Sequence, residues 1–365
     1  MAVTFYLTKK RAARLALALT LTTTVLAGCS HLSAQEKQFP TGTVAYMSYS
    51  NGDYSLYLAK PKTLETIDSI KLGEGFGFSI SEDPQGRIWA PLSYRSDSTT
   101  LENHVTVYDP IKDKKWRVEV GGDPERVFFA KNKAYVLCGE NGVDPSLYVV
   151  DEALEGHKLE TFTGAGYLVD PQFDGETFYW YTRPDGEGNN PADMPLQVET
   201  YSLSEQKRGT LTLHDEKVEP GARLYGLLVH QGRLYASYES REGNLHKFDA
   251  KTGEKLRTLD LQGHRGSLAL VRDDLIAVTD VRSHHQMAGT VDLFQLSTDD
   301  ITGDITGRVV GGFGFQRPVD RVSFVGDYLY AVDNGENKFL AISLDGEDVQ
   351  EMDAPTMVSN FIAYN

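Results

Sequence analysis

Two strand patterns, each recurring seven times, leave this chain few ways to fold. The first follows a pair of turn residues. Its instances are Gly42-Thr43-Val44-Ala45-Tyr46, Gly86-Arg87-Ile88-Trp89-Ala90, Asn132-Lys133-Ala134-Tyr135-Val136 and Gly175-Glu176-Thr177-Phe178-Tyr179. Gly232-Arg233-Leu234-Tyr235-Ala236, Asp273-Asp274-Leu275-Ile276-Ala277 and Asp327-Tyr328-Leu329-Tyr330-Ala331 complete the set. Taking Val44, Ile88, Ala134, Phe178, Leu234, Leu275 and Leu329 as equivalent gives spacings of 44, 46, 44, 56, 41 and 54 residues. A period of this size marks one supersecondary unit per repeat, which must stack on its neighbours to bury an apolar face.

The second pattern follows each of the first and ends in an acidic or polar turn, as in Val105-Thr106-Val107-Tyr108-Asp109, Leu147-Tyr148-Val149-Val150-Asp151 and Leu245-His246-Lys247-Phe248-Asp249. Ser55-Leu56-Tyr57-Leu58, Val198-Glu199-Thr200-Tyr201-Ser202, Val291-Asp292-Leu293-Phe294 and Phe339-Leu340-Ala341-Ile342-Ser343 are the others. Apolar residues alternating with Gly/Asp turns at this frequency argue for an all-β chain. Seven four-stranded units predict a seven-bladed β-propeller. The first repeat is one strand short, while residues 356–364 are left over after the seventh. Pairing this C-terminal strand into the N-terminal blade closes the ring and removes two open sheet edges.

The blades resemble the YVTN-type β-propeller repeat family. The resemblance is carried by Val120-Gly121-Gly122-Asp123-Pro124, which fits a V-G-x-x-P pattern, with Tyr135-Val136 and Val149-Val150-Asp151 after it. Leu234-Tyr235-Ala236 and Lys247-Phe248-Asp249-Ala250-Lys251-Thr252-Gly253 echo its later part. The resemblance implies a fold and an exported location, and it implies no single activity, since propellers host binders, enzymes and scaffolds.

The N-terminus reads as an export signal. Lys9, Lys10, Arg11 and Arg14 precede an apolar stretch at residues 15–26, which is shorter than the about 20 residues of a spanning helix. Leu26-Ala27-Gly28-Cys29 resembles a bacterial lipobox. That resemblance implies a diacylglycerol on Cys29, cleavage after Gly28, and a lipoprotein tethered by palmitate-like acyl chains. The expected organisation is a signal peptide at 1–28, a lipidated flexible tether at 29–41 and the propeller at 42–365. The expected location is extracytoplasmic, on the periplasmic or cell-surface face of a bacterial membrane. Removing residues 1–28 takes four positive charges from a net −16 and leaves −20. So acidic a body has no electrostatic reason to bind nucleic acid. Cys138, the other of two cysteines, lies in an apolar strand and reads as a buried, inert thiol.

Candidate site residues lie at one mouth of the channel, where the chain enters each innermost strand. Arg126 and Arg321 fall eight residues before their landmarks, Ala134 and Leu329, and Arg223, Arg265 and Arg317 sit near the same level. Guanidinium groups hold carboxylate or phosphate bidentately, so five of them would suit a small anionic ligand. The plainer reading pairs each with a neighbouring acid such as Asp123, Glu125 or Asp320. Tyr167 and Phe76 would line the same level, stacking on a ligand or plugging the channel. Long connections at 94–103, 183–194 and 282–288 suit recognition loops. His284-His285 point to opposite sides of an extended segment, which argues against a shared metal. No metal or cofactor is expected, and established catalytic motifs are absent. His264 beside Arg265, with Asp280 on the next strand, is the one acid/base grouping to propose. Two functions compete: a binding or scaffold protein with a protein partner or small anionic ligand, and a propeller lactonase or lyase working in the same funnel.

Overall fold

A computed structural model of the chain describes residues 3–7, 37–50, 53–75, 77, 79–93, 103–139, 144–163, 168–182, 196–214, 224–238, 245–259, 266–281, 288–298, 305–333, 338–353 and 358–364. These residues form strands and turns with no helix. No helix among them is long and apolar enough to cross a membrane. After β1 (Val3–Leu7), blade one contributes β2 (Thr43–Ser50), β3 (Asp53–Ala59) and β4 (Thr66–Gly73). Blade two is β5 (Ser81–Glu82), β6 (Ile88–Leu92), β7 (His104–Asp109) and β8 (Lys114–Glu119). Blade three is β9 (Pro124–Ala130), β10 (Lys133–Cys138), β11 (Ser146–Val150) and β12 (Gly156–Thr161). Blade four is β13 (Leu168–Phe173), β14 (Thr177–Thr182), β15 (Gln197–Ser202) and β16 (Lys207–Thr212). Blade five is β17 (Leu224–His230), β18 (Arg233–Tyr238), β19 (Leu245–Asp249) and β20 (Lys255–Leu259). Blade six is β21 (Gly266–Arg272), β22 (Leu275–Val281), β23 (Ala288–Thr298) and the first half of β24 (Ile305–Val325). The second half of β24 opens blade seven, followed by β25 (Tyr328–Asp333), β26 (Lys338–Ser343) and β27 (Val349–Asp353). β28 (Ile362–Tyr364) ends the chain.

Each blade is a four-stranded antiparallel sheet with its strands in chain order, except the first. There the order is β28-β2-β3-β4, so the C-terminal strand is innermost, with Thr43 opposite Tyr364 and Ala45 opposite Ile362. The chain is therefore an all-β, seven-bladed propeller closed as its sequence predicts. The clasp is more broken than a strand over residues 356–364. Upstream of β28, an isolated bridge joins Ser48 to Val358, and Ser359 holds Met47 by two hydrogen bonds, N to Met47 O at 3.0 Å and Oγ from Met47 N at 2.9 Å. The two strand types of the repeat correspond to the second strand (β2, β6, β10, β14, β18, β22, β25) and the third of each blade.

Seven clusters of buried apolar side chains lie between the blades, each drawing on two neighbours. Alternation along a strand sends successive side chains to opposite faces, so each blade fills two clusters. At the closure, Val44, Tyr46 and Ala59 of blade one meet Tyr330, Val332, Phe339 and Ala341 of blade seven, with Val358 and Phe361 of the C-terminal segment. Phe361 stacks on Tyr330 at 5.3 Å and stands edge-on to Phe339 at 5.5 Å. Cys138 is fully buried between blades two and three.

Acidic turns after the third strands do the work their side chains suit. Asp109, Asp151 and Asp249 each accept a backbone N–H two to four residues on, closing the turn to the outer strand. For Asp249, the N–H groups of Lys251 and Thr252 hold the carboxyl below its ordinary range. Between the first and second strands of blade two, Asp83 accepts from the N–H groups of Gln85 and Arg87, from Arg87 Nε at 2.6 Å and from Trp89 Nε1 at 2.8 Å. Asp174 in blade four repeats the device, accepting from Glu176 N, Thr177 N and the Tyr179 hydroxyl.

Residues 37–41 lie against the body. Lys37 pairs with Asp68 at 2.9 Å, and Phe39 meets the Tyr364 ring edge-on. β1 pairs antiparallel with β24, from Val3 opposite Phe315 to Leu7 opposite Gly311.

Candidate functional site

The wall of the central channel is built by the innermost strands, and polar side chains join them blade to blade. Ser79 Oγ donates to Glu125 O at 2.6 Å and Ser81 Oγ to Val127 O at 3.0 Å, tying blade two to blade three. Asn360 brackets the backbone of Ile80, accepting from its N–H at 2.7 Å and donating to its carbonyl at 3.2 Å. Phe361 N donates to Ser323 Oγ at 3.1 Å, tying blade one to blade seven. Short innermost strands leave backbone groups unpaired on their channel side. Serine and asparagine satisfy these groups where no further strand can fit.

Glycine fills the same need where backbones approach too closely for a side chain. A Cβ on Gly226 of β17 would lie 2.5 Å from Gly266 O in blade six, so the innermost strands of blades five and six approach only through glycine.

At the mouth of blade three the arrangement is acidic. The chain enters β9 through Asp123, which takes a left-handed φ of 57°, a conformation that aspartate tolerates better than most residues. The amide of Gly139, just after β10, donates to Asp123 O at 2.8 Å. A Cβ on Gly139 would sit 2.5 Å from Glu125 Oε1 and 3.2 Å from Asp123 Oδ2, so both carboxylates converge over this one glycine. Burial, reinforced by the Asp123 charge and opposed by Arg126, pushes the Glu125 carboxyl up to about 7.

Arg126 is the third residue of β9 and lies opposite Leu137 of β10. It belongs to the strand, where the sequence places it in the connection before. It is partly exposed, and its charge acts on the neighbouring Glu125 carboxyl. Arg317 and Arg321 both run in β24, which passes from blade six into blade seven as continuous strand. In blade seven a bulge between Asp320 and Ser323 interrupts the register at the position matching Arg126. Arg223, Arg265, Tyr167, Phe76, His264, His284, His285 and Cys29 lie outside the described residues. Asp280 pairs with Gly266 in the ladder of blade six. The structure thus places Arg126 within the innermost strand of blade three, and adds the Asp123–Glu125 pair beside it. Sequence reasoning had cast those acids only as partners for arginine. The signal available was Asp-Pro-Glu at the start of an innermost strand, with a glycine after the second strand to admit both side chains.

One further group of possible metal ligands, Asp151, Glu155 and His157, sits on the outer side of blade three. Asp151 is already the acceptor of its turn, and the group is largely exposed.

No family model matches the chain, and no curated protein matches it in sequence. Solved structures are similar to it in fold. The β-propeller domain of Myceliophteria thermophila Cps50 (Swd1) aligns over 78% of this chain and 88% of that one, at 12% identity and a TM-score of 0.56. BamB from Moraxella catarrhalis aligns over 89% and 87%, at 14% identity and a TM-score of 0.49. The computationally designed Ika8 protein aligns over 88% and 90%, at 11% identity and a TM-score of 0.49. The Cps50 likeness supports the propeller assignment, and at such identity it bears on fold alone.

Proposed function

We propose that the protein is an extracytoplasmic propeller, held to a bacterial membrane by lipid on Cys29, that serves as a binding or scaffold protein at the cell envelope. The supporting observation is the use of the polar side chains along the channel. Ser79, Ser81, Ser323 and Asn360 are engaged with the backbones of neighbouring blades, so they hold the ring rigid and are not aimed at a reacting atom. A rigid ring with long connections between its strands is the layout of a recognition platform.

The anchor is tested by feeding an alkyne analogue of palmitate to cells making the full chain. The wild type should be labelled and partition with membranes, whereas Cys29→Ser should be unlabelled and soluble. An unlabelled wild type would sink the tether. Binding is tested by thermal shift of the purified chain against phosphate, sugar acids and lactones, because a ligand that binds only the native state raises the melting temperature. A shift lost in the Arg126→Ala/Arg321→Ala variant would assign a small anionic ligand to the mouth. Absence of any shift would leave a protein partner.

The second reading, a lactonase or lyase acting on a small anionic substrate, is favoured by the acid pair. A carboxyl pushed up to about 7 beside a second carboxyl group suits general acid–base work at neutral pH. Lactone turnover abolished by Glu125→Gln would establish it.

A further inference from the structure

The outermost strand of a propeller blade is a free sheet edge, and natural sheets guard such edges with charge, especially lysine. All seven outer strands here carry such charges. β4 carries Asp68 and Lys71; β8 carries Lys114, Lys115, Arg117 and Glu119; β12 carries Lys158 and Glu160. β16 carries Lys207 and Arg208, β20 Lys255 and Arg257, and β27 Glu351 and Asp353. Blade six differs in where its charges lie. Its outer strand keeps Arg308 and Arg317 to either side of Val309-Val310-Gly311-Gly312-Phe313-Gly314-Phe315, a run of seven residues without a charge. In chemistry it is the kind of edge that recruits another strand.

It does so in this structure. β1, a Val-Thr-Phe-Tyr-Leu segment, lies antiparallel along Gly311–Phe315 in an unbroken five-residue register and makes blade six five-stranded. On the other side the same residues pair with β23, where Thr290 faces Gly314 and Leu293 faces Gly311. The edge therefore accepts a strand without giving up its place in the blade. Three glycines leave little side chain in the way of an approaching backbone, and Phe313 is fully buried in the core, which anchors the strand from within.

We propose that the outer edge of blade six is a strand-accepting site. In the mature protein its occupant is an extended, uncharged segment of a partner protein, rich in β-branched and aromatic residues like the segment it accepts here. This inference rests on the reading that residues 1–28 are removed, which vacates the edge. Main-chain hydrogen bonds then supply affinity, and the absence of charge on the edge selects an uncharged strand, as in other cases of strand addition.

The test uses the chain purified from the membranes of expressing cells, its mass measured first. It is titrated with a fluorescent peptide of residues 2–8 (Ala-Val-Thr-Phe-Tyr-Leu-Thr), and amide exchange is followed in its presence. Saturable binding with slowed exchange confined to residues 309–315 is the expected result. Replacing the peptide's phenylalanine with proline removes a donor and should abolish binding with the protein untouched. Gly314→Lys, which installs the guard found on other outer strands, should weaken binding about tenfold while leaving the melting temperature near wild type. A mature mass with no binding at millimolar peptide, or equal binding of the proline peptide, overturns the strand site alone. A mass that retains residues 1–28 overturns the processing reading and this proposal together, since the edge then stays filled by β1.

Discussion

Glu125 ties the stability of the fold to pH. Its carboxyl is pushed up to about 7 in the folded chain against an ordinary value of 4.5, chiefly because the half-buried group is withdrawn from water. Between those limits the folded protein holds a proton that the unfolded chain releases. The contribution is therefore complete below about pH 4.5, falls as pH rises and is lost above about 7. A glutamine keeps the shape and never ionises. Glu125→Gln should thus match the wild type in acid and exceed it at pH 8 by on the order of 3 kcal/mol, read from denaturant melts at the two pH values. Equal stability at pH 8 would mean that the ionised carboxylate is solvated there. Gly226 makes a second prediction at this scale. Alanine would force a methyl against Gly266 O and push blades five and six apart, so Gly226→Ala should cost about 1–3 kcal/mol in a urea melt.

Among the elements, the C-terminal clasp is both short and consequential. β28 contributes three residues to the ladder of blade one, and much of its hold comes from Phe361 between Tyr46, Tyr330 and Phe339. Phe361→Ala should lower stability by about 3–5 kcal/mol, and hydrogen exchange should show the loss first in blades one and seven. If exchange instead rises evenly around the ring, the clasp is not where the ring opens. Second and third strands were legible in the sequence because they alternate strictly and sit between turn residues with a fixed role, such as the Asp249 that closes its own turn. Innermost strands were harder to read. β5 is two residues long, and its pairing is set by Ser79 and Ser81 reaching into the next blade, a contact that no local pattern encodes. The run of β24 from one blade into the next was hidden for the opposite reason, since Gly311, Gly312, Gly314 and Pro318 within it read as turn formers. The site follows the same logic. Arg126 stood out by its spacing, but the burial of Glu125 depends on Gly139 and on the facing blade, so it emerged only in three dimensions.

For the whole molecule, the surplus of acid is a burden spread over the surface. With 52 acidic against 36 basic residues, the folded chain repels itself, and individual pairs such as Lys37–Asp68 offset little of that. Salt should therefore stabilise the protein. Raising sodium chloride from about 0.01 M to about 0.15 M shortens the screening length from about 30 Å to about 8 Å, and the melting temperature should climb over that range. A melting temperature that falls would show that ion pairs dominate over the net charge.

The ring is finished by a segment synthesised long after the strand it completes. At about 5–20 residues per second, β2 and its neighbours wait on the order of tens of seconds before residues 358–364 exist to cover them. Blade one is thus the first begun and the last completed. A message cut short of residues 358–364, or a protease that removes them, leaves six sound blades and a gap where a hydrophobic strand edge meets water. The join therefore doubles as a check on synthesis: only a chain extended through residues 358–364 can cover the inner edge of blade one.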